Sequence, residues 1–287
     1  MISLIQLGTV DYATGLRLQQ ELVALRKEEK IGDVLLLLEH SPVITLGRNA
    51  KSANIIASSE LLTQRGVELF ECDRGGDVTF HGPGQIVGYP IFDLRGFGTT
   101  ADGKRKTLGA VEFVRRLEEV LIRTCADFAI PTKRICGLTG VWTNLAPGTD
   151  HVGTAAAENG SKPGCGKNRE GHDFSRAEPR SDSKAPLAAE VQEGKLAAIG
   201  VHISRFVTSH GFALNVNTDL SFFNLIIPCG IAAKPVTSMQ KELGKPLVLN
   251  AVAESISRNF GTVFQSQILW LDSLDALLAR PVGAPAP

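Results

Sequence analysis

The sequence predicts a mixed α/β domain of the α+β type, in which helices pack against a mixed sheet. Two observations support this fold class: strand-like runs outnumber helical ones, and short turns join many of the strands. A doubly wound parallel sheet is not favoured, because its strands would alternate with helices. At 287 residues the chain is long enough to bury a large core.

The elements follow from the spacing of apolar residues along the chain. Helices are predicted where these residues recur every three or four positions: Tyr12 to Glu29, Thr107 to Phe128 and Leu249 to Phe260. Strands are predicted at shorter apolar runs: Val34 to Glu39, Val43 to Leu46, Val67 to Cys72 and Ile86 to Phe92. The stretch from Lys195 to Phe206 alternates as a further strand does.

A segment rich in Gly, Ser, Ala and Pro interrupts this pattern at residues 144–193. It has few large apolar residues, so it is predicted to be a disordered insertion within one catalytic domain at 1–270. Its His151, Cys165 and His172 match no familiar metal site. Residues 271–287 are expected to form a C-terminal extension with a frayed tail.

The overall composition excludes several classes of protein. Thirty basic and thirty acidic residues give a formal charge of zero and no basic stripe, so nucleic acid is not an expected partner. The longest aliphatic run, Val34 to Leu38, is too short to span a membrane, and the first residues do not resemble a signal peptide. Five cysteines without paired spacing suit the reducing cytoplasm.

The first candidate catalytic residue is Cys229, which ends an apolar run between Pro228 and Gly230. A proline and a glycine on either side stiffen and turn the backbone, which would present the thiol as a nucleophile. The alternative is a small buried side chain with a purely structural role, since most lone cysteines pack in cores.

The second candidate is Lys195, which the alternation places in phase with the apolar residues Ala197, Ile199, Val201 and Ile203. A lysine is rarely buried without a partner. Desolvation favours its neutral amine, and that amine can act as a general base. The alternative is a lysine at the end of a strand whose ammonium reaches water.

A glycine-rich segment from Arg74 to Gln85 lies between two predicted strands. Four glycines in twelve residues imply unusual backbone angles or a close approach to a ligand. The segment is no phosphate-binding loop of the familiar kind, because no Lys followed by Ser or Thr closes it. An ordinary glycine-rich turn remains the alternative, although it would not explain the flanking Arg74 and His81.

These segments, with His210-Gly211-Phe212-Ala213-Leu214-Asn215-Val216-Asn217 and Ile226-Ile227-Pro228-Cys229-Gly230, resemble the lipoyl(octanoyl) transferases in content and order. The resemblance covers most of Ile2 to about Phe264 and implies the biotin/lipoate protein ligase-like fold. It implies that Cys229 carries an acyl thioester and that Lys195 shuttles protons. It also implies an acyl site lined by Arg74, Gly75, Gly76, Asp77, Val78, Thr79, Phe80, His81, Ala198, Ile199, Gly200, Gly211, Phe212 and Ala213.

The resemblance further implies a function, the transfer of a medium-chain acyl group, octanoyl, from acyl carrier protein to a lysine of a lipoyl domain. The expected acceptors are the lipoyl domains of 2-oxoacid dehydrogenase complexes and the glycine cleavage H protein. No cofactor, metal or nucleotide is expected, because the donor thioester is already activated. His40, His81 and His210 are expected to position the site, and a structural histidine is as compatible with each position.

Three other functions fit parts of the pattern. An ATP-dependent lipoate or biotin ligase would share the fold but would not need the thiol of Cys229. A cysteine thioesterase would pair that thiol with a base such as His210 and release acyl groups to water. A non-catalytic acyl-binding module would keep the pocket, whose apolar wall of Phe80, Ile199 and Phe212 favours chains of about eight carbons.

Overall fold

A computed structural model describes residues 1–99, 105–145, 192–228 and 234–279. The chain divides into one compact unit made of Met1–Asn144 and Glu193–Pro287 and a second unit, Leu145–Gln192. The second unit coincides in position with the predicted insertion. Residues 146–191, which include His151, Cys165 and His172, lie outside the described residues, as does Cys229.

The described residues form six α-helices and thirteen strands. The helices are α1 (Tyr12–Lys27), α2 (Ser59–Gln64), α3 (Ala110–Asp127), α4 (Met239–Leu243), α5 (Leu249–Phe264) and α6 (Leu274–Leu278). The strands are β1 (Ile2–Val10), β2 (Asp33–His40), β3 (Val43–Leu46), β4 (Glu68–Glu71), β5 (Val78–His81), β6 (Gln85–Ile91), β7 (Gly98–Thr99), β8 (Arg105–Lys106), β9 (Thr132–Ile135), β10 (Leu138–Leu145), β11 (Gln192–Ser204), β12 (Val207–Asn215) and β13 (Ile268–Leu271).

The main sheet is mixed, as the sequence predicts. Eight of the described strands follow one another in the order β13-β1-β2-β6-β12-β11-β10-β9. Strand β1 pairs in parallel with both β13 and β2, whereas β6 pairs antiparallel with β2 and β12, and β12 pairs antiparallel with β11. Its central strands are therefore covered on both faces.

Alternation along β2 distributes its side chains between two cores. Leu35 and Leu37 belong to one apolar cluster, and Val34, Leu36 and Leu38 belong to another on the opposite face. Successive side chains of a strand point to opposite faces, so an uninterrupted run of leucines indicates a strand buried on both sides.

Helices α3 and α5 cover the first face. Helix α3 contributes residues at helical spacing, all inaccessible to solvent: Phe113, Leu117, Val120, Leu121 and Cys125. The second face is covered in part by α1, whose N-cap Asp11 accepts a hydrogen bond from the Thr14 N–H at 2.8 Å. Helix α6 packs against another part of that face, and the part that the glycine-rich segment covers forms the floor of the site.

A smaller sheet in the order β4-β3-β5 has a third apolar core, which contains Ile44, Val78 and Phe80. Strand β5 lies inside the segment that the sequence predicts as a glycine-rich connection. Two strands at the edge of the main sheet, β1 and β13, were not predicted, although Ile2 and Leu4 are fully buried. Neither Ile2-Ser3-Leu4-Ile5 nor Ile268-Leu269-Trp270-Leu271 alternates regularly between apolar and polar residues, so neither segment showed the period of two that predicts a strand.

The compact unit extends beyond the domain boundary expected at residue 270. Leu271 and Leu274 pack against the second core, and Leu277 is 3% exposed within it. Residues 280–287, which include the predicted frayed tail, lie outside the described residues. Among the described helices, none is both long enough and apolar enough to cross a membrane.

We expect a short glycine-containing turn to replace residues 146–191 without loss of the fold. Strands β10 and β11 are neighbours in the sheet, and the Thr143 hydroxyl donates to the Gly194 carbonyl at 3.5 Å, so the two ends are already adjacent. A shorter loop costs less closure entropy, and the free energy of unfolding should stay level or rise by up to about 2 kcal/mol. Denaturant unfolding measures it.

A longer deletion that also removes Glu193 is the matched control. The Glu193 carboxylate pairs with Lys133 and Lys234, and this deletion should destabilise the protein. Equal destabilisation by both deletions would contradict the expectation.

Candidate active site

A cavity of about 400 Å³ lies between the second face of the main sheet and the glycine-rich segment. It brings together residues that are distant in the sequence and that the sequence analysis assigned to one acyl site. Twelve of those line it: Arg74, Gly75, Gly76, Asp77, Thr79, His81, Ala198, Ile199, Gly200, Gly211, Phe212 and Ala213.

Val78 and Phe80 do not line this cavity, which corrects the prediction for both. Along β5, Thr79 and His81 face the cavity, so the alternate residues face the third core. Phe80 stacks there on Phe222, with ring centroids 4.7 Å apart. The apolar wall expected from Phe80, Ile199 and Phe212 therefore consists of Ile199 and Phe212 without Phe80.

The glycine-rich segment forms the roof of the cavity by crossing β11 at the level of the backbone. The Gly75 N–H donates to the Val201 carbonyl at 3.1 Å. A Cβ at Gly200 would lie 2.5 Å from the Gly75 carbonyl oxygen, closer than any side chain allows. Glycine at position 200 is thus required for the close approach that the glycine content of the segment predicts.

Arg74 fixes the shape of this roof. Its guanidinium is buried and donates to the Thr45 hydroxyl and carbonyl and to the carbonyls of Gly75 and Asp77, at 2.6–3.1 Å. These contacts join the segment to β3. A planar guanidinium that serves several backbone oxygens at once holds the loop in one conformation. Arg74 is therefore primarily an organiser of the roof.

Lys195 lies at one end of the cavity and is 8% exposed. Its Nζ is 5.1 Å from the centre of the Trp142 ring, and its Cε packs against Gly140. Leu196 and Ala197 both belong to the first core, so alternation is interrupted between them. Lys195 thus lines the cavity with Ala198 and Ala213 and is not in phase with the apolar face predicted for it.

The chain on both sides of residues 229–233 is anchored beside Lys195. Pro228 lines a small pocket together with Lys195, and the Ile227 N–H donates to the Asn54 carbonyl at 2.7 Å. On the other side, the Lys195 N–H donates to the Pro235 carbonyl at 2.8 Å, and the Thr237 N–H donates to the Lys195 carbonyl at 3.0 Å.

A chain of hydrogen bonds connects the roof to this end of the site. The His81 Nδ1 donates to the side-chain oxygen of Gln85 at 2.7 Å, and the side-chain amide of Gln85 donates to the side-chain oxygen of Asn215 at 2.9 Å. The Asn215 amide then donates to the carbonyl of Thr237, whose N–H is bonded to Lys195. Each amide has one orientation that satisfies its partners, so His81 carries its proton on Nδ1.

The three histidines around the cavity are neutral. Burial, with smaller contributions from His40 and Arg74, lowers the pKa of His81 to about 3. Burial also lowers the pKa of His40 and of His210, although Asp73 opposes the effect at His210. None of the three therefore places a positive charge next to an acyl chain at neutral pH.

The end of the cavity away from Lys195 consists of polar side chains bonded to one another. The Tyr89 hydroxyl donates to His40 Nε2 at 2.5 Å, and His40 Nδ1 donates to the Val10 carbonyl at 2.8 Å. The His210 Nε2 donates to the Asp73 carboxylate at 2.7 Å. Because these polar atoms are already bonded, the rings can face an apolar ligand without a desolvation cost.

Sequence reasoning missed several residues of the cavity: Tyr12, Asn49, Val87, Tyr89, Gly137, Leu138 and Thr139. Alternation along β6 could have identified Val87 and Tyr89, since both side chains lie on the face of the main sheet that the glycine-rich roof covers. No local signal distinguishes Tyr12, which reaches the site from the first turn of α1.

Comparison with known proteins places this geometry in a family. Residues 11–261 match the model of the lipoyl protein ligase A/B catalytic domain. An octanoyltransferase of Koribacter versatilis is 54% identical over 100% of this chain and 93% of its own length. An octanoyltransferase of Acidobacterium capsulatum is 49% identical over 97% of this chain and 96% of its own.

The chain belongs to the octanoyltransferases of this family. It is therefore an enzyme, an acyltransferase that acts in octanoyl transfer for lipoylation. The predicted family is confirmed.

Solved structures confirm the fold class. A bipartite lipoate protein ligase from Thermoplasma acidophilum, studied with its E2 lipoyl domain, aligns over 96% of this chain and 89% of its own with a TM-score of 0.61. Lipoate-protein ligase A bound with ATP aligns over 95% and 89% with a TM-score of 0.59. Both are 11% identical to this chain, so they show the lipoate protein ligase-like fold alone.

We expect Gly140→Ala to lower the rate of octanoyl transfer while the protein remains folded. Gly140 has φ of +129°, and a Cβ there would lie 2.9 Å from Lys195 Cε and 2.6 Å from the Ala197 carbonyl oxygen. The lysine must shift, and small displacements of a reacting group lower rates roughly 10- to 100-fold. Initial rates of octanoyl transfer by the purified variant measure the loss.

Gly66→Ala is the control for backbone strain alone. Gly66 also has positive φ, +63°, but nothing lies within 4 Å of a Cβ built there. This variant should lose about 1 kcal/mol of stability and retain normal transfer. Equal effects of the two variants on the rate would contradict a specific contact with Lys195.

Proposed function

We propose that this enzyme transfers octanoyl from acyl carrier protein to a lysine of a lipoyl domain through a thioester on Cys229. The observation that carries the proposal is the position of Lys195, buried at the end of an apolar cavity where the chain on both sides of residues 229–233 is anchored. This arrangement supports a reaction that needs a base and an acyl pocket close to a thiol.

In the first half-reaction, the Lys195 amine accepts the proton of the Cys229 thiol, and the thiolate attacks the thioester carbonyl of the donor. A new carbon–sulfur bond forms, and the bond to the carrier's pantetheine sulfur breaks. The departing thiolate takes the proton from the Lys195 ammonium. The Trp142 ring next to Lys195 Nζ stabilises the ammonium form between these steps.

In the second half-reaction, the amine of the acceptor lysine attacks the acyl group on Cys229. An amide bond forms, the carbon–sulfur bond to Cys229 breaks, and Lys195 passes the proton of the amine to the cysteine thiolate. We propose as acceptors the lipoyl domains of 2-oxoacid dehydrogenase complexes and the glycine cleavage H protein. A nucleophilic thiol of this kind also requires a reducing compartment, and we propose the cytoplasm.

The geometry does not favour the rival functions. A thioesterase that used His210 as its base would need this histidine near Pro228, but His210 lies at the opposite end of the cavity, bonded to Asp73. The names of the similar proteins favour a transferase over an ATP-dependent ligase.

We expect octanoyl acyl carrier protein alone, without ATP or magnesium, to leave one octanoyl group on the enzyme. Intact-protein mass spectrometry followed by peptide mapping should locate the group on Cys229, and Cys229→Ser and Cys229→Ala should abolish both the adduct and the transfer. Addition of a lipoyl domain should then discharge the adduct onto the acceptor lysine.

Three outcomes would decide against the proposal. An adduct on another cysteine would remove Cys229 from the mechanism. A strict requirement for ATP with free octanoate would favour a ligase. Rapid release of octanoate to water at saturating lipoyl domain would favour a thioesterase.

We expect Lys195→Arg to be nearly as inactive as Lys195→Ala. An arginine keeps the positive charge but remains protonated, so it cannot accept the proton of the thiol or of the acceptor amine. Single-turnover acylation, followed by mass spectrometry, measures this step directly. Lys234→Arg is the matched control, because Lys234 also lies over Trp142 yet pairs with Glu193, and its acylation rate should stay near normal. Near-normal acylation by Lys195→Arg would leave Lys195 only an electrostatic role.

A further inference from the structure

A second cavity, of about 320 Å³, lies beyond the end of the acyl cavity. Its wall on α1 is apolar and contains Leu16, Val23 and Ala24, and its wall on the sheet contains His202 and Ser204. His210 is the one described residue that lines both cavities. Removal of its side chain would therefore join them.

His210 is held in place by bonds at both its side chain and its backbone. Nε2 donates to the Asp73 carboxylate at 2.7 Å, and the backbone N–H donates to the Gln19 side-chain oxygen at 2.8 Å. The residue is 3% exposed and has φ of +54°. A residue keeps this strained backbone conformation only because its surroundings fix it. The His210 side chain is therefore a rigid partition between the two cavities.

The orientation of an acyl chain follows from the position of the reacting groups. On β11, Lys195 is six residues from Val201, which is paired with His210, so Lys195 and His210 lie towards opposite ends of the cavity. The carbonyl carbon must lie near Lys195. The methyl end then points along Ala198 and Gly200 towards His210.

We propose that His210 sets the upper limit of acyl length by closing the far end of the cavity. This inference rests on the proposed function and adds to it the residue that limits the length of the acyl chain. The bond to Asp73 occupies the polar atom of the ring, so the ring closes the cavity without presenting an unsatisfied donor to the methyl end.

His210→Gly tests the partition, since glycine accepts the positive φ and leaves an open passage. We expect the ratio of kcat/KM for dodecanoyl over octanoyl carrier protein to rise at least about tenfold, because each newly buried methylene contributes about fourfold. Thermal unfolding of the variant should remain cooperative, and His210→Ala provides a second, less mobile variant.

Two controls separate the bulk of the side chain from its chemistry. His210→Phe keeps an aromatic partition but cannot bond to Asp73, and it should retain the preference for octanoyl. His202→Ala enlarges only the second cavity and should leave chain selection as it is. An unchanged ratio in both His210→Gly and His210→Ala would overturn the proposal, as would the same shift in His210→Phe.

Calorimetric titration with free octanoate and dodecanoate tests the partition independently of transfer. The native enzyme should bind octanoate in preference, and His210→Gly should gain dodecanoate binding. If no donor supports transfer but the binding shift occurs, the proposed function fails and the partition stands. If transfer occurs and neither assay shows a shift, the partition fails alone.

Discussion

The site depends on one backbone contact, the crossing of the glycine-rich segment over β11 at Gly75 and Gly200. The two segments approach so closely there that Gly200 has no room for a side chain, and a Cβ at Gly75 would lie only 3.2 Å from the Val201 carbonyl oxygen. Arg74 stabilises the crossing by bonding to four backbone or hydroxyl oxygens around it, which turns a segment of high conformational entropy into a fixed roof. Below that roof, the small residues of β11 and β12 leave space for a ligand.

The two ends of the cavity differ in their electrostatic character. At one end Lys195 lies beside the aromatic face of Trp142, with its Nζ 5.1 Å from the ring centre. At the other end the tyrosine and histidine side chains are buried and bonded to other polar groups, as the Tyr89–His40 pair illustrates. Burial keeps the histidines at that end neutral, which suits the apolar tail of an acyl chain.

The sequence predicted the three long helices and five of the strands, because these elements build the cores with regular spacing of apolar residues, as in β2 and α3. The cavity residues were predicted through the resemblance of several segments to one family, and the glycine content pointed to only one of those segments. The sequence could not predict the interruption between Leu196 and Ala197, which returns Lys195 to the cavity face, because a break in alternation depends on tertiary contacts. Phe80 was misplaced for a related reason: β5 forms inside a segment that composition describes as a loop.

Two of the bonds that hold the Lys195 backbone come from residues that follow it in the sequence. Pro235 and Thr237 clamp its backbone from both sides of the peptide, and Lys234 adds an ion pair to the preceding Glu193. The backbone position of Lys195 is consequently fixed in part by the segment at Pro235 and Thr237. The connection between β10 and β11 contributes neither of these bonds, so a change in its length should leave the backbone of Lys195 where it is.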